Sequence, residues 1–328
     1  MTVRVESGGR LHFGFLNLSL SHDRLYGSLG VALDRPRVAV EADPAEDLRC
    51  DHERAREHAE RACEVLGVPG VDLAVREELP PHVGLGSGTQ LALAVLAATA
   101  RAHGRNADVR EFAPELGRGG RSGVGVATFE AGGFVLDAGH PTGLFTTEAP
   151  ARGEWAVPPV AARHRIPEDW RFLLVRPDAE PGRDGSEEDA SMRSAVEAAD
   201  PGLADRISGV VTRRVLPALA AGDVAAFGAA VAEVGRLNGA WYADEQGGVY
   251  RPPVGAVVDA LDGSPAISGA GQSSWGPAVY GVTDAARAED ALAAGREALD
   301  AAGVDGEVRV VAPRNEGAEV GDSGQGKA

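Results

Sequence analysis

Residues 80–99 read PPHVGLGSGTQLALAVLAAT, a double proline followed by Gly84, Gly86, Ser87, Gly88 and Thr89 and then an apolar run. Glycine admits positive φ and lets a ligand reach the backbone without meeting a Cβ, and the hydroxyls of Ser87 and Thr89 are placed to cap a helix starting at about Gln90. Such a turn offers N–H groups at the positive end of a helix dipole, which is the chemistry that holds phosphate or diphosphate. It has no P-loop lysine and does not read GxGxxG after a strand, and the same composition also serves ordinary strand-to-helix connections.

The cations narrow the chemistry further. The chain's one lysine is Lys327, near its end, which excludes a Schiff-base mechanism and a Walker-type phosphate lysine. Positive charge facing an anionic ligand must come from arginine, a helix end or a metal. Arg10, Arg24 and Arg121 sit in the words GGRLHFGFLNLSL, DRLYGSLGVALDRP and GRSGVGVATFEAGGFVLDAG. The last word is dense in glycine around Arg121, Ser122 and Asp137, as expected of backbone held close to a ligand or of a flexible hairpin loop. A further word, SGAGQSSWGP, presents Gln272, Ser273, Ser274 and Trp275 at a glycine turn between strands. His12 is a candidate acid or base, or equally a satisfied half-buried side chain. Asp34, in LDRP, has a turn-type setting, and Gln246 is a polar candidate beside two glycines, with no defined role. Cys50, His52, His58 and Cys63 lie mostly along one charged helix at spacings that do not converge on zinc, and two cysteines make no disulfide framework.

The chain of 328 residues carries a net charge of −17, an acidic, lysine-poor balance suited to a salt-rich cytoplasm where cations screen self-repulsion. That balance argues against a nucleic-acid groove, which needs clustered basic residues. With no apolar run of about 18 residues and no leader-like h-region, the expectation is a cytosolic protein with no membrane partner.

These residues must be positioned by alternating strands and helices. Strands are expected over an N-terminal hairpin, over about residues 30–33 and 37–42, and over GVDLAVREEL, with an amphipathic helix over 51–66 and a buried helix over 90–102. FEAGGFVLD reads as a strand hairpin. A loop-like stretch over 149–167 marks a boundary, DWRFLLVRPD opens a second unit, and PDAEPGRDGSEEDA reads as a mobile acidic loop, a candidate lid. Helices follow over 192–199, 203–221, 223–240 and VGAVVDALDG, then strand, glycine turn and strand, a helix over 289–302, a closing strand EVRVVAP and a disordered tail over 316–328.

Three of these words, RLHFGFLNLSL, PPHVGLGSGTQLALA and SGAGQSSWGP, resemble in order the three motifs of the GHMP kinase superfamily. The resemblance implies an α+β fold of two domains: residues 1–160, a phosphate-binding α/β domain with a left-handed βαβ unit, and 161–315, ferredoxin-like. DRLYGSLGVALDRP, GRSGVGVATFEAGGFVLDAG, EQGGVY and GQSSWGP narrow it: together with RLHFGFLNL they resemble the β-ribofuranosylaminobenzene 5′-phosphate synthase family over roughly residues 10–311. That family shares the kinase fold but joins phosphoribosyl diphosphate to 4-aminobenzoate or 4-hydroxybenzoate, releasing CO₂ and diphosphate, on the way to methanopterin-type pterins. The resemblance implies that Gly84, Gly86, Ser87, Gly88 and Thr89 hold the diphosphate, with Ser87 or Thr89 on Mg²⁺. It makes Arg24 and Arg121, with Arg10 behind them, the fork for the acceptor's carboxylate, and Trp275 or Phe13 the platform for its ring. Asp137 and Asp34 become candidates for metal or cation stabilisation, and His12 for an acid or base. Gln272, Ser273 and Ser274 face the cleft. It also implies a homodimer. The alternative is an ATP-dependent small-molecule kinase, the only reading in which ATP is a cofactor; the block RSGVGVATF lacks the carboxylate such a kinase wants near its acceptor hydroxyl.

Overall fold

The computed structural model describes residues 2–179 and 185–322. Strand β1 (Val3–Asn17) and strand β2 (Arg24–Ala45) form a long antiparallel hairpin. The two separate strands expected over 30–42 are one strand, because β1 pairs with it on both sides of a bulge between Gly8 and Arg10. A Cβ on Gly8 would lie 1.7 Å from the Leu33 carbonyl oxygen, so the bend of β2 closes directly over that residue.

Helix α1 (Glu53–Leu66) follows, capped by His52, whose ring accepts from the Ala55 amide, and ended by Gly67 in the left-handed region. Strand β3 (Gly70–Glu77) pairs with the far half of β2 and leads through the glycine turn into helix α2 (Ser87–Ala102). A short helix α3 (Val109–Phe112) precedes helix α4 (Val124–Ala131) and strand β4 (Phe134–Asp137). The hairpin expected at FEAGGFVLD is therefore a helix end followed by a strand: Val124, Val126, Ala127 and Phe129 are all buried, and Gly132 stops the helix with φ 62. Strand β5 (His140–Pro141) touches the start of β2, and strand β6 (Val160–His164) pairs with β4, so the first sheet extends slightly past residue 160.

The second unit opens with strand β7 (Trp170–Pro177), helix α5 (Gly185–Ala198), helix α6 (Pro201–Val210), a π-helical turn over Val211–Val215 and helix α7 (Leu216–Ala221). Then come helix α8 (Val224–Trp241), helix α9 (Ala243–Gln246), helix α10 (Val254–Asp262), strand β8 (Gly269–Gln272), strand β9 (Val279–Asp284), helix α11 (Ala288–Ala302) and strand β10 (Gly306–Val311). The strand order β10-β7-β9-β8, all antiparallel with helices between, is the ferredoxin-like arrangement. Residues 180–184 of the candidate lid lie outside the described residues. The tail departs from expectation, since strand β11 (Glu319–Asp322) pairs antiparallel with the start of β1. Asp34 binds the same C-terminal stretch: its amide donates to the Ala312 oxygen and its carboxylate accepts from the Ala312 amide.

Period-2 alternation places β7 between two cores. Phe172 and Leu174 face a core shared with Leu11, Phe13, Leu29 and helices α6–α8, while Leu173 and Val175 face α10 and α11. The two units are thus joined through a common apolar layer that sets β1 against α8. Among the described residues no helix is long and apolar enough to cross a membrane.

Candidate functional site

Helix α2 begins at Ser87 immediately after Gly86, whose φ is 78, and no side chain caps it. Ser87 and Thr89 are therefore inside the first turn rather than in front of it; the Thr89 and Gln90 amides donate to the Gly86 oxygen, which leaves the Ser87 and Gly88 N–H groups as the ones open to an outside partner. The glycines before them have two different duties. A Cβ on Gly84 (φ +92) would lie 2.1 Å from the Ser273 carbonyl oxygen, and one on Gly276 would lie 2.0 Å from the Val83 carbonyl carbon, so these glycines let two loops pack backbone to backbone. Gly86 and Gly88 instead admit cations. An ideal Cβ would stand 3.1 Å from Arg10 Cγ at Gly86 and 3.1 Å from Arg118 Nη1 at Gly88. Two guanidinium groups therefore flank the first turn of α2, and Arg10 is held there by donating to the Gly84 oxygen at 2.6 Å.

One hydroxyl fastens all three glycine-rich words. Ser273 Oγ accepts from the His12 amide at 3.1 Å and donates to the Gly84 oxygen at 2.8 Å, while the Ser274 amide donates to the His12 oxygen at 3.2 Å. Ser273 is fully buried, so it does not face the cleft as expected.

The other predicted residues are distributed around this core. Arg24 donates through Nε to the Ala138 oxygen and through Nη2 to the Gly139 oxygen, both at 2.6 Å. Arg121 lines a separate cavity of about 300 Å³ together with Tyr26, Glu148, Met192 and Arg193. The structure brings Arg10 and Arg118 to the first turn of α2. Asp137 is fully buried and accepts from Ser28 Oγ, the Gly123 amide and the Gly139 amide. Burial pushes its carboxyl above the ordinary carboxylate range in spite of those donors. Such a carboxylate fastens the turns before α4 and after β4. Asp137→Asn puts an amide N–H₂ against donors and is expected to cost about 2 kcal/mol in urea denaturation, while the folded fraction keeps its turnover. Normal stability with abolished turnover would instead mark a catalytic carboxylate.

A second cavity, of about 50 Å³, opens beside the cradle between β1, α8 and the turn after β8. His12 and Trp275 are among its lining residues, and Trp275 meets Tyr242 edge to face at 4.3 Å between centroids. Phe13, the other expected ring platform, also lines the cavity while packing edge-on against Tyr280 and Phe227 in the core. His12 is buried, its Nδ1 has no partner, and burial followed by the charge of Arg10 pushes its pKa down to about 3. It is neutral at ordinary pH and too weak a base to take a proton efficiently there.

Acid stability follows from the same burial. Burial depresses His12 to about 3 and His140 to about 4, whereas both take up protons near 6.5 once unfolded. Over that window the unfolded state binds more protons, so the stability contributed by these groups is present above pH 6.5 and lost as pH falls, by about 1.4 kcal/mol per pH unit per histidine. Asp137, raised by burial, acts in the opposite sense. Urea midpoints are expected to decline from about pH 6.5 to about pH 4, with His140→Gln making the decline shallower because His12 and His58 remain depressed; a flat wild-type profile contradicts the assignment.

Tyr250 and Ser28 lie in the words EQGGVY and DRLYGSLGVALDRP without being singled out there, and Arg118 carries no distinguishing sequence signal. Arg118 shares the word GRGGRS with Arg121, and only the packing of that loop against α2 separates them. Among the described residues no three His, Cys, Asp or Glu side chains are placed to hold a metal. Thr89 packs its methyl toward Gly125, with Cγ2 3.1 Å from an ideal Cβ there, while Ser87 is buried in the same turn.

Residues 53–133 match the family described as GHMP kinases N terminal domain. The chain is 33% identical over 297 residues to β-ribofuranosylphenol 5′-phosphate synthase of Methanothermobacter thermautotrophicus, spanning 85% of this chain and 88% of that protein. It is 32% identical over 288 residues to the protein of the same name from Archaeoglobus fulgidus, spanning 86% and 88%. Among solved structures, phosphomevalonate kinase of Streptococcus pneumoniae superposes with a TM-score of 0.68 at 14% identity over 94% of this chain and 99% of that one, a likeness of fold alone.

Proposed function

The chain belongs to the β-ribofuranosylphenol 5′-phosphate synthase family, and on that premise we propose that it joins the ribose of phosphoribosyl diphosphate to 4-hydroxybenzoate or 4-aminobenzoate with loss of CO₂ and diphosphate, a step of methanopterin-type pterin synthesis. The phenol in the relatives' name is the ring that 4-hydroxybenzoate leaves. The ring carbon bearing the carboxylate attacks C1 of the sugar, the C1–oxygen bond to diphosphate breaks, and the carboxylate departs as CO₂ as the ring regains its aromaticity.

The observation that carries this reading is the first turn of α2 with Arg10 on one side and Arg118 on the other. The leaving diphosphate gains charge as C1 becomes cationic, and preorganised N–H groups and guanidinium forks oppose that charge without reorganising. Mg²⁺, for which the Ser87 or Thr89 hydroxyl would be the protein contact, would add charge neutralisation. Neutral His12 serves as a hydrogen-bonding wall rather than as a base. The same reading takes the protein as a cytoplasmic homodimer working at high salt.

Incubating the protein at high salt with phosphoribosyl diphosphate, Mg²⁺ and either aromatic acid should release CO₂ and diphosphate in equal amounts. Product formed only with ATP and an alcohol would transfer the assignment to the kinase reading, which rests on the shared fold.

A further inference from the structure

The narrow cavity beside the cradle contains two polar atoms that the protein leaves unsatisfied. His12 Nδ1 and the Tyr250 hydroxyl are both buried without a hydrogen-bond partner, and both residues line it. Buried polar atoms are nearly always paired, so two orphans in one cavity point to a ligand. Their neighbour Asn238 is not available. Its amide donates to the Phe15 and Val234 oxygens and accepts from the Phe15 amide.

The remaining walls state the ligand's chemistry. Trp275 and Tyr242 give an aromatic flank, Gln272 an amide, and no arginine, lysine or carboxylate lines the cavity among the described residues. Neutral Nδ1 donates or accepts according to its tautomer and a phenol does both, which suits a hydroxyl or amino group, whereas a carboxylate would find no cation on these walls. At about 50 Å³ the cavity is smaller than the ~150 Å³ that encloses a whole benzene ring, so it takes a ring edge with its substituent.

We propose that this slot receives the para hydroxyl or amino group of the aromatic acceptor, bound by His12 Nδ1 and the Tyr250 hydroxyl, with the acceptor's carboxylate left outside. The assignment rests on the transferase reading. His12 lies two residues from Arg10 on β1 and its amide shares Ser273 with Gly84, so a ring entering head first leaves its carboxylate-bearing carbon outside, on the cradle side.

Calorimetric titration of the full chain with 4-hydroxybenzoate and with benzoate, which lacks the para group, tests the slot without turnover. Wild type is expected to bind 4-hydroxybenzoate about tenfold more tightly, and Tyr250→Phe to cut that ratio to about threefold. Equal binding of the two acids by wild type overturns the proposal, and so does a ratio untouched by Tyr250→Phe in a variant that melts like wild type. The preference without CO₂ release in the transferase assay would leave the slot standing and sink the reaction; CO₂ release without the preference would do the reverse.

Discussion

Gly84→Ala is expected to lower the unfolding free energy by about 4 kcal/mol, whereas Gly67→Ala, with much the same kind of backbone, should cost only about 1 kcal/mol. Both glycines sit in the left-handed region, with φ of 92 and 60, so both substitutions carry conformational strain. What separates them is space. Nothing lies within 4 Å of a Cβ on Gly67, the residue that ends α1, whereas a Cβ on Gly84 would be 2.1 Å from the Ser273 carbonyl oxygen. A backbone oxygen cannot swing aside like the end of a side chain, so the loop after β3 and the turn after β8 must separate. Separation also strains the Ser273 hydrogen bonds to Gly84 and His12. Urea denaturation of the three proteins measures the difference, and equal costs for the two variants would show that the loops are not packed as described. Against a typical stability of about 5–15 kcal/mol, a loss of this size leaves a marginal protein.

That pair of glycines also marks how far residue types alone make the fold and site legible. The words at 84–89 and 268–277 are conspicuous for glycine, and their likeness to known motifs correctly implies the fold. Composition cannot say whether a glycine makes room for a ligand, for a neighbouring loop or for an arginine, since each requires only a missing Cβ. Gly84 and Gly276 serve the second purpose, Gly86 and Gly88 the third. The same limit hides Arg118, because its distance to α2 is a property of tertiary packing, and it hides that the Arg24 guanidinium donates to two carbonyls of the turn between β4 and β5. The helix at 124–131 passes for part of a hairpin because the two glycines that follow it suggest a turn, whereas its apolar residues are buried all round. Strand β11 escapes a reading of residue types because short polar segments at a terminus look disordered until an exposed sheet edge pairs with them.

Arg118→Ala is expected to raise the KM for phosphoribosyl diphosphate about 100-fold, the equivalent of roughly 2.7 kcal/mol, with Arg118→Lys about tenfold and Arg121→Ala little changed. A guanidinium matches a phosphate with two parallel donors, whereas an ammonium supplies only a point charge, hence the intermediate lysine value. KM can change for indirect reasons, but His58 offers an independent witness. Its pKa is pushed down to about 3, first by burial and next by the charge of Arg118, with Arg54 and Arg152 adding smaller amounts. Removing Arg118 deletes one of those repulsions, so the imidazole should titrate at higher pH in Arg118→Ala. Inorganic diphosphate bound to the wild type should move it in the same direction, because the anion neutralises the guanidinium that His58 senses. Diphosphate should then leave His58 almost unmoved in the variant. NMR titration of the His58 ring with and without diphosphate reads this out with no chemistry taking place. If diphosphate shifts His58 equally in both proteins, or in neither, the anion is not held at the first turn of α2 beside Arg118.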